Sequence, residues 1–191
     1  MKRPVARKSD VPPGPNRIEW DRVTAVIAVL VGVLALAVSA YTAYLQHAQV
    51  RAQTWPLLQL WQSNSLRSFS LSNRGVGPAR VLDAKVYLDD LEVEGFQQIF
   101  KALSGEDRTP NSTQSYFVRR VLAANEDVAM IQFEEQADYD LFAANRQRIA
   151  FDICYCSVID QCYRLNERAE TEREYLAEVS SCSTDTPGKF R

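Results

Sequence analysis

Histidine is almost missing from this chain of 191 residues, since His47 is the only one. Nothing built after residue 47 can therefore use a Ser–His–Asp or Cys–His arrangement. No G-x-G-x-x-G, P-loop or H-E-x-x-H pattern occurs either, and no C-x-x-C supports thiol redox work. Basic excess is lacking too: 22 Lys and Arg stand against 24 Asp and Glu. That balance argues against a general nucleic-acid binder, which needs a basic footprint. These absences lead us to expect no enzyme, no cofactor and no resident metal.

Charge is absent from Val23 to Val50. The core of that gap, Val23–Tyr44, reads VTAVIAVLVGVLALAVSAYTAY. As a helix it reaches roughly 30 Å, the thickness of a bilayer's hydrocarbon core. A helix satisfies its own backbone in lipid, so this run needs no partner to span. Trp20 before it, and Tyr41 and Tyr44 at its end, fit the aromatic belts of the two interfaces. A cleaved signal peptide is the rival reading, with Val38-Ser39-Ala40 as a cleavage point. The run is longer than a typical h-region, which favours an anchor.

Residues 1–22 carry six Lys and Arg against three acids, whereas 51–191 carry sixteen against twenty-one. Basic residues beside a span keep that end in the cytoplasm. We therefore expect residues 1–17 to be a disordered, proline-rich cytoplasmic tail and 18–54 to be the transmembrane helix, with its span at 23–44, continuing as a stalk. Residues 55–182 should form an extracytoplasmic β domain, and 183–191 a flexible end. In a bacterium this is a single-pass inner-membrane protein whose C-terminal domain is periplasmic.

Small residues recur on one face of the span at Ala25, Ala28, Gly32, Ala35, Ser39 and Thr42. Such a stripe lets helices approach closely in lipid. The expected partners are membrane lipid and, through this stripe, another membrane protein or a second copy of the chain.

After Pro56 the pattern alternates, and we expect strands at Leu57–Trp61, Leu66–Leu71, Val81–Leu88, Gln114–Leu122, Asp127–Phe133, Arg148–Val158 and Gln161–Leu165. Short helices are expected at Gly95–Leu103 and Ala137–Asn145. Asn166–Glu178 is open between helix and loop. The turn Asn73-Arg74-Gly75-Val76-Gly77-Pro78-Ala79 joins two of the strands. This strand–N-x-G-x-G-P-A–strand pattern resembles the turn of immunoglobulin-like and CARDB-like bacterial adhesion modules. With the anchor and a cysteine hairpin, the chain resembles single-pass bacterial envelope proteins. The resemblance implies an immunoglobulin-like β-sandwich with one or two short helices, and no catalytic residues.

All four cysteines, Cys154, Cys156, Cys162 and Cys182, fall in the last forty residues. An even count outside the cytoplasm reads as two disulfides. Cys154 and Cys156 are neighbours on one strand face and cannot pair well. We therefore expect Cys156–Cys162 across the hairpin and Cys154–Cys182 tying down the C-terminal segment.

The leading functional expectation is a binding or accessory subunit of an envelope complex. The alternative is an envelope enzyme or metal carrier. It would use Cys154 and Cys156 as soft ligands, or the carboxylates of Glu134, Glu135, Asp138 and Asp140. Arg119-Arg120 and Arg146–Arg148 read as exposed strand positions.

Overall fold

The computed structural model describes residues 17–105, 109–182 and 190. It divides into two compact units, Met1–Gln49 and Val50–Arg191. Of the expected tail at 1–17, residues 1–16 lie outside the described residues, as do most of 183–191; residue 17 is already the first of the helix.

The first unit is the greater part of one helix, α1 (Arg17–Gln53), which is 37 residues long and so about 55 Å. Its apolar stretch contains no proline and only one glycine, Gly32. It is long and apolar enough to cross a membrane. The large side chains of the span, from Val23 to Val38, are exposed all round. A continuous apolar surface of this size is stable in lipid or against other apolar helices, not in water. Thr42 Oγ1 donates to the Val38 carbonyl at 2.8 Å, so this stripe hydroxyl is satisfied within the helix.

Among the described residues, ten strands, three further α-helices and one 3₁₀ turn follow. β1 (Leu58–Ser63) and β2 (Ser68–Asn73) form an antiparallel pair. β3 (Ala79–Leu88) turns tightly into β4 (Leu91–Val93). α2 (Phe96–Ser104) precedes two short strands, β5 (Ser112–Gln114) and β6 (Val121–Leu122). Then come β7 (Asp127–Phe133), α3 (Gln136–Ala144), β8 (Ile149–Cys156) and β9 (Cys162–Asn166). The described chain ends with α4 (Glu172–Tyr175) and β10 (Leu176–Val179).

Two antiparallel sheets result, in the orders β1-β2-β7-β5 and β10-β9-β8-β3-β4, with β6 also paired to β3. They share one core. Phe69, Leu71, Met130 and Phe133 enter it from the first sheet. Val81, Val86, Phe151, Ile153 and Tyr155 enter from the second. Alternation does most of this work. On β8 the residues Ile149, Phe151, Ile153 and Tyr155 face inward, because a strand's side chains point to opposite faces in turn. The Tyr155 hydroxyl accepts from the Leu58 amide at 3.4 Å, joining the two sheets across the core. Burial pushes the Tyr155 phenol well above its ordinary pKa, so it stays a neutral partner. α2 and α3 add Phe96 and Phe142 to an aromatic cluster in which Phe142 meets Phe69 edge-on at 4.7 Å.

Several expectations need correcting. Gln114–Leu122 is not one strand but β5 and β6, with a turn between them; Arg119 there takes φ 59°. Leu66 and Arg67 form a turn before β2, not part of it. β4 was not foreseen: Asp89 and Asp90 both take positive φ, at 48° and 67°, which makes the two-residue hairpin loop that leads into it. β10 emerges from the Asn166–Glu178 stretch because β9 offers it an edge. Phe190 is buried against Phe96 at 4.9 Å, so at this residue the expected loose end is packed into the core.

The turn after β2 is organised by Asn73, which is fully buried. Its Oδ1 accepts from the amides of Leu57 (3.2 Å) and Gly75 (3.0 Å). Its Nδ2 donates to the carbonyls of Gly77 (2.8 Å), Leu122 (3.2 Å) and Ala123 (3.1 Å). The chain leaving α1 lies directly against this turn. A Cβ on Gly75 would sit 2.6 Å from Pro56 Cα, and one on Gly77 2.6 Å from Thr54 Cα. Glycine is required at both positions by this close backbone approach.

Replacing Asn73 by Ala strands several buried backbone groups at once. We expect Asn73→Ala to destabilise the domain by about 3 kcal/mol or more, read by denaturant unfolding of the full chain in detergent. Ser72→Ala, next to it in sequence, serves as the control and should change little.

Candidate functional site

The register of the second sheet brings the sulfur atoms together. Ser157 N–H donates to the Gln161 carbonyl at 2.7 Å. The next pair along, Cys156 and Cys162, is therefore a non-hydrogen-bonded pair, where facing residues of antiparallel strands come closest. Their Cα atoms are 4.0 Å apart, and the two are joined as a disulfide. Cys154 lies two residues back on the same face of β8. It is bridged to Cys182, with Cα atoms 5.6 Å apart. Cys182 follows β10, whose end Val179 stands opposite Cys162 on β9, so only β9 separates the end of β10 from β8. Disulfides of this kind point to an oxidising compartment.

The two bridges touch. Cys182 Sγ is 3.7 Å from Cys156 Sγ, and the Sγ atoms of Cys156, Cys162 and Cys182 all lie within 4.8 Å of one another. The bridges differ in access: Cys156 and Cys162 are buried, while Cys154 and Cys182 are partly exposed. With both bonds closed the cluster offers no thiolate, which is the form a metal ligand or nucleophile needs.

A polar groove opens on Cys154. It is lined by Asp83, Lys85, Asp152, Cys154, Arg164, Val179 and Ser181. Cross-strand pairing explains the set: Cys154 stands opposite Asp83 on β3 and Arg164 on β9, and Asp152 stands opposite Lys85. Arg164 grips Asp152 with two hydrogen bonds, one of 2.7 Å from Nε to Oδ1. The carboxylate is nearly buried while the guanidinium is half exposed. This contact holds the Arg164 pKa above its ordinary value. The alternation of Ala150, Asp152, Cys154 and Cys156 away from the core was visible in the sequence. That Lys85 and Arg164 would flank them was not, because strand order is not written there.

The other expected site residues fall as follows. Ala25, Ala28, Gly32, Ala35, Ser39 and Thr42 all lie on α1 and are exposed; around Gly32 nothing approaches within 4 Å of an added Cβ. The acidic residues have separate settings. Glu134 accepts from Asn111 Nδ2 at 3.0 Å, and Asp140 accepts from Gln136 at 2.8 Å. Asp138 is buried in the first turn of α3. The arginines are not strand positions. Arg120 pairs with Glu126 at 2.9 Å, and Arg146–Arg148 form a single 3₁₀ turn. Arg146 binds Glu167 at 2.5 Å and lies over the Phe151 ring, while Arg148 pairs with Asp89.

No family model, no curated protein and no solved structure matches this chain.

Two outcomes test this geometry. The Cys154–Cys182 bridge closes 28 residues and the Cys156–Cys162 bridge only 6. In the loop-entropy account, removing the first as a Cys154→Ala/Cys182→Ala pair costs about 3.5 kcal/mol, and the corresponding Cys156/Cys162 pair about 2. Thermal or denaturant unfolding of each double variant reads the difference. The second concerns Glu126, whose carboxylate accepts from the Ala123 amide at 2.7 Å. That bond holds its pKa below the ordinary glutamate value. Its stabilisation is complete above the unfolded-state pKa and disappears as pH falls through the lower folded value. Glu126→Gln should therefore lower the melting temperature slightly at pH 7, and the gap to wild type should close in acid.

Proposed function

We propose that this chain is a single-pass membrane-anchored accessory or binding protein of a bacterial envelope complex, with no catalysis of its own. Its N-terminus is cytoplasmic and its β domain periplasmic, at the inner membrane. The observation that carries the reading is the packing of the segment by which the chain enters the domain. Residues 54–57, directly after α1, are walled by Gly75 and Gly77 and bonded to Asn73. The Trp55 carbonyl also accepts from the amides of Val76 (3.0 Å) and Gly77 (3.2 Å). A domain whose own entry segment is packed and hydrogen-bonded into it in this way suits a part held at one place in an assembly.

The strand order supports an immunoglobulin-like sandwich. β1-β2-β7-β5 follows the A-B-E-D order, and β4-β3-β8-β9 follows C′-C-F-G, with β10 added at the edge. In that scheme such domains serve recognition through loops and edges more often than chemistry. The absence of histidine from residues 48–191 points the same way. Partner contact within the membrane is assigned to the small-residue face of Ala25, Ala28, Gly32, Ala35, Ser39 and Thr42, where a neighbouring helix can approach closely.

The test is crosslinking in native membranes followed by purification in mild detergent. A specific membrane protein, or a second copy of the chain, should be captured by wild type and lost from an Ala28→Leu/Gly32→Leu/Ala35→Leu variant that stays in the membrane. Two results would sink the proposal: no protein captured by wild type, or a reporter fused at Arg191 that works only in the cytoplasm.

A further inference from the structure

We propose that the four-cysteine cluster is a thiol–disulfide exchange site. In this site an external dithiol reduces the chain through Cys154, and the bond shifts inward to Cys156–Cys182. Three observations carry it. Cys154 is partly exposed and lines the groove beside β8. The inner bridge, Cys156–Cys162, is buried and closed to direct attack. The 3.7 Å contact between Cys182 and Cys156 links the two bridges sulfur to sulfur.

The chemistry balances in three displacements. A thiolate of the dithiol enters the groove and attacks Cys154 Sγ. The Cys154–Cys182 bond breaks, a mixed disulfide forms at Cys154, and Cys182 leaves as a thiolate. That thiolate is already in contact with Cys156 Sγ and attacks it. The Cys156–Cys162 bond breaks, a Cys156–Cys182 bond forms, and Cys162 leaves as a thiolate and takes a proton. The second thiol of the dithiol then attacks its own partner sulfur in the mixed disulfide. Cys154 is released and is protonated in turn. The dithiol has lost two electrons and two protons and become a disulfide. The chain has gained two thiols, on Cys154 and Cys162, and keeps one bridge.

Local charge is compatible with an incoming anion. Lys85 and Arg164 line the groove with Asp83 and Asp152, and Asp152 is held by Arg164. Cations beside a sulfur stabilise the thiolate form on which every exchange step depends. The absence of C-x-x-C is no obstacle here. The resolving sulfur comes from Cys182, brought in by β10, instead of from a neighbour in sequence. The C-terminal segment is released when Cys182 leaves and tethered again when it bonds to Cys156, so its anchor moves from Cys154 to Cys156 while the β8–β9 turn loses its clamp.

The experiment uses the full chain in detergent, treated with limiting dithiothreitol. Exchange is stopped with acid, thiols are labelled with N-ethylmaleimide in denaturant at mildly acidic pH so that buried thiols also react, and bridges are mapped by mass spectrometry. The expected one-bridge species carries the label on Cys154 and Cys162 and a Cys156–Cys182 bond. A one-bridge species that keeps Cys156–Cys162, with label on Cys154 and Cys182, overturns the proposal. So does one that keeps Cys154–Cys182. The Cys154→Ala variant gives a second reading without any reductant. Exchange predicts that its free thiol appears at Cys162, whereas a free thiol at Cys182 alone contradicts it. Should that variant fail to fold, the wild-type mapping decides.

Discussion

Asn73 is the contact on which the rest of the domain leans. A buried amide side chain is costly unless its donors and acceptor are filled. Here they are filled by five backbone groups from three separate stretches: the chain leaving α1, the turn itself, and the segment around β6. Its own backbone joins in, with its N–H bonded to the Glu126 carbonyl and its carbonyl to the Asn125 amide. No apolar side chain could hold these polar groups at the junction of two sheets. The two glycines complete the arrangement by letting backbone meet backbone where any Cβ would intrude.

From that fixed point the two sheets extend away along β1, β2 and β3, and the same end of the fold carries the sulfur cluster. β3 begins at Ala79, and Arg80 pairs with Cys156. Hence the turn held by Asn73 and the hairpin held by the inner disulfide belong to one end of the domain, the end nearest the residues leaving α1. Covalent and hydrogen-bonded restraint is concentrated there. The opposite end is closed by aromatic packing of α2 and α3, with Phe142 in contact with both Phe96 and Phe133. The two ends use different physics: specific bonds where chain direction must be exact to a residue, and non-directional burial where bulk suffices.

Legibility varied by element, for identifiable reasons. β7 was read at its observed bounds, Asp127–Phe133, because the turn Ala123–Glu126 precedes it and Glu134-Glu135 follows it, although alternation slips where Met130 and Ile131 are both buried. α2 was read to within a residue, because Phe96, Ile99 and Phe100 recur at helical spacing and Gly105 ends it in the left-handed region at φ 70°. Gln114–Leu122 misled because its β-branched and aromatic residues suit a strand, yet Arg119 turns the chain. β4 and β10 have only 3 and 4 residues. Strands this short exist by virtue of the edge they join, so local pattern cannot reveal them. Phe190 looked like part of a polar end, and only the cavity left by Phe96 and Phe117 explains its burial.

The sequence by itself determined the apolar helix, the change of period after Pro56, the need for a special turn at Asn73–Ala79, and the cysteine spacing that favours one pairing. These depend on neighbours within a few residues, where composition and periodicity act directly. Tertiary structure alone decided that Asn73 reaches Leu122 and Ala123, that Lys85 and Arg164 stand beside Cys154, and that Cys182 touches Cys156. Each of these joins residues far apart in the chain. Strand order and register, set by global packing, fix such distances, and no local pattern encodes them.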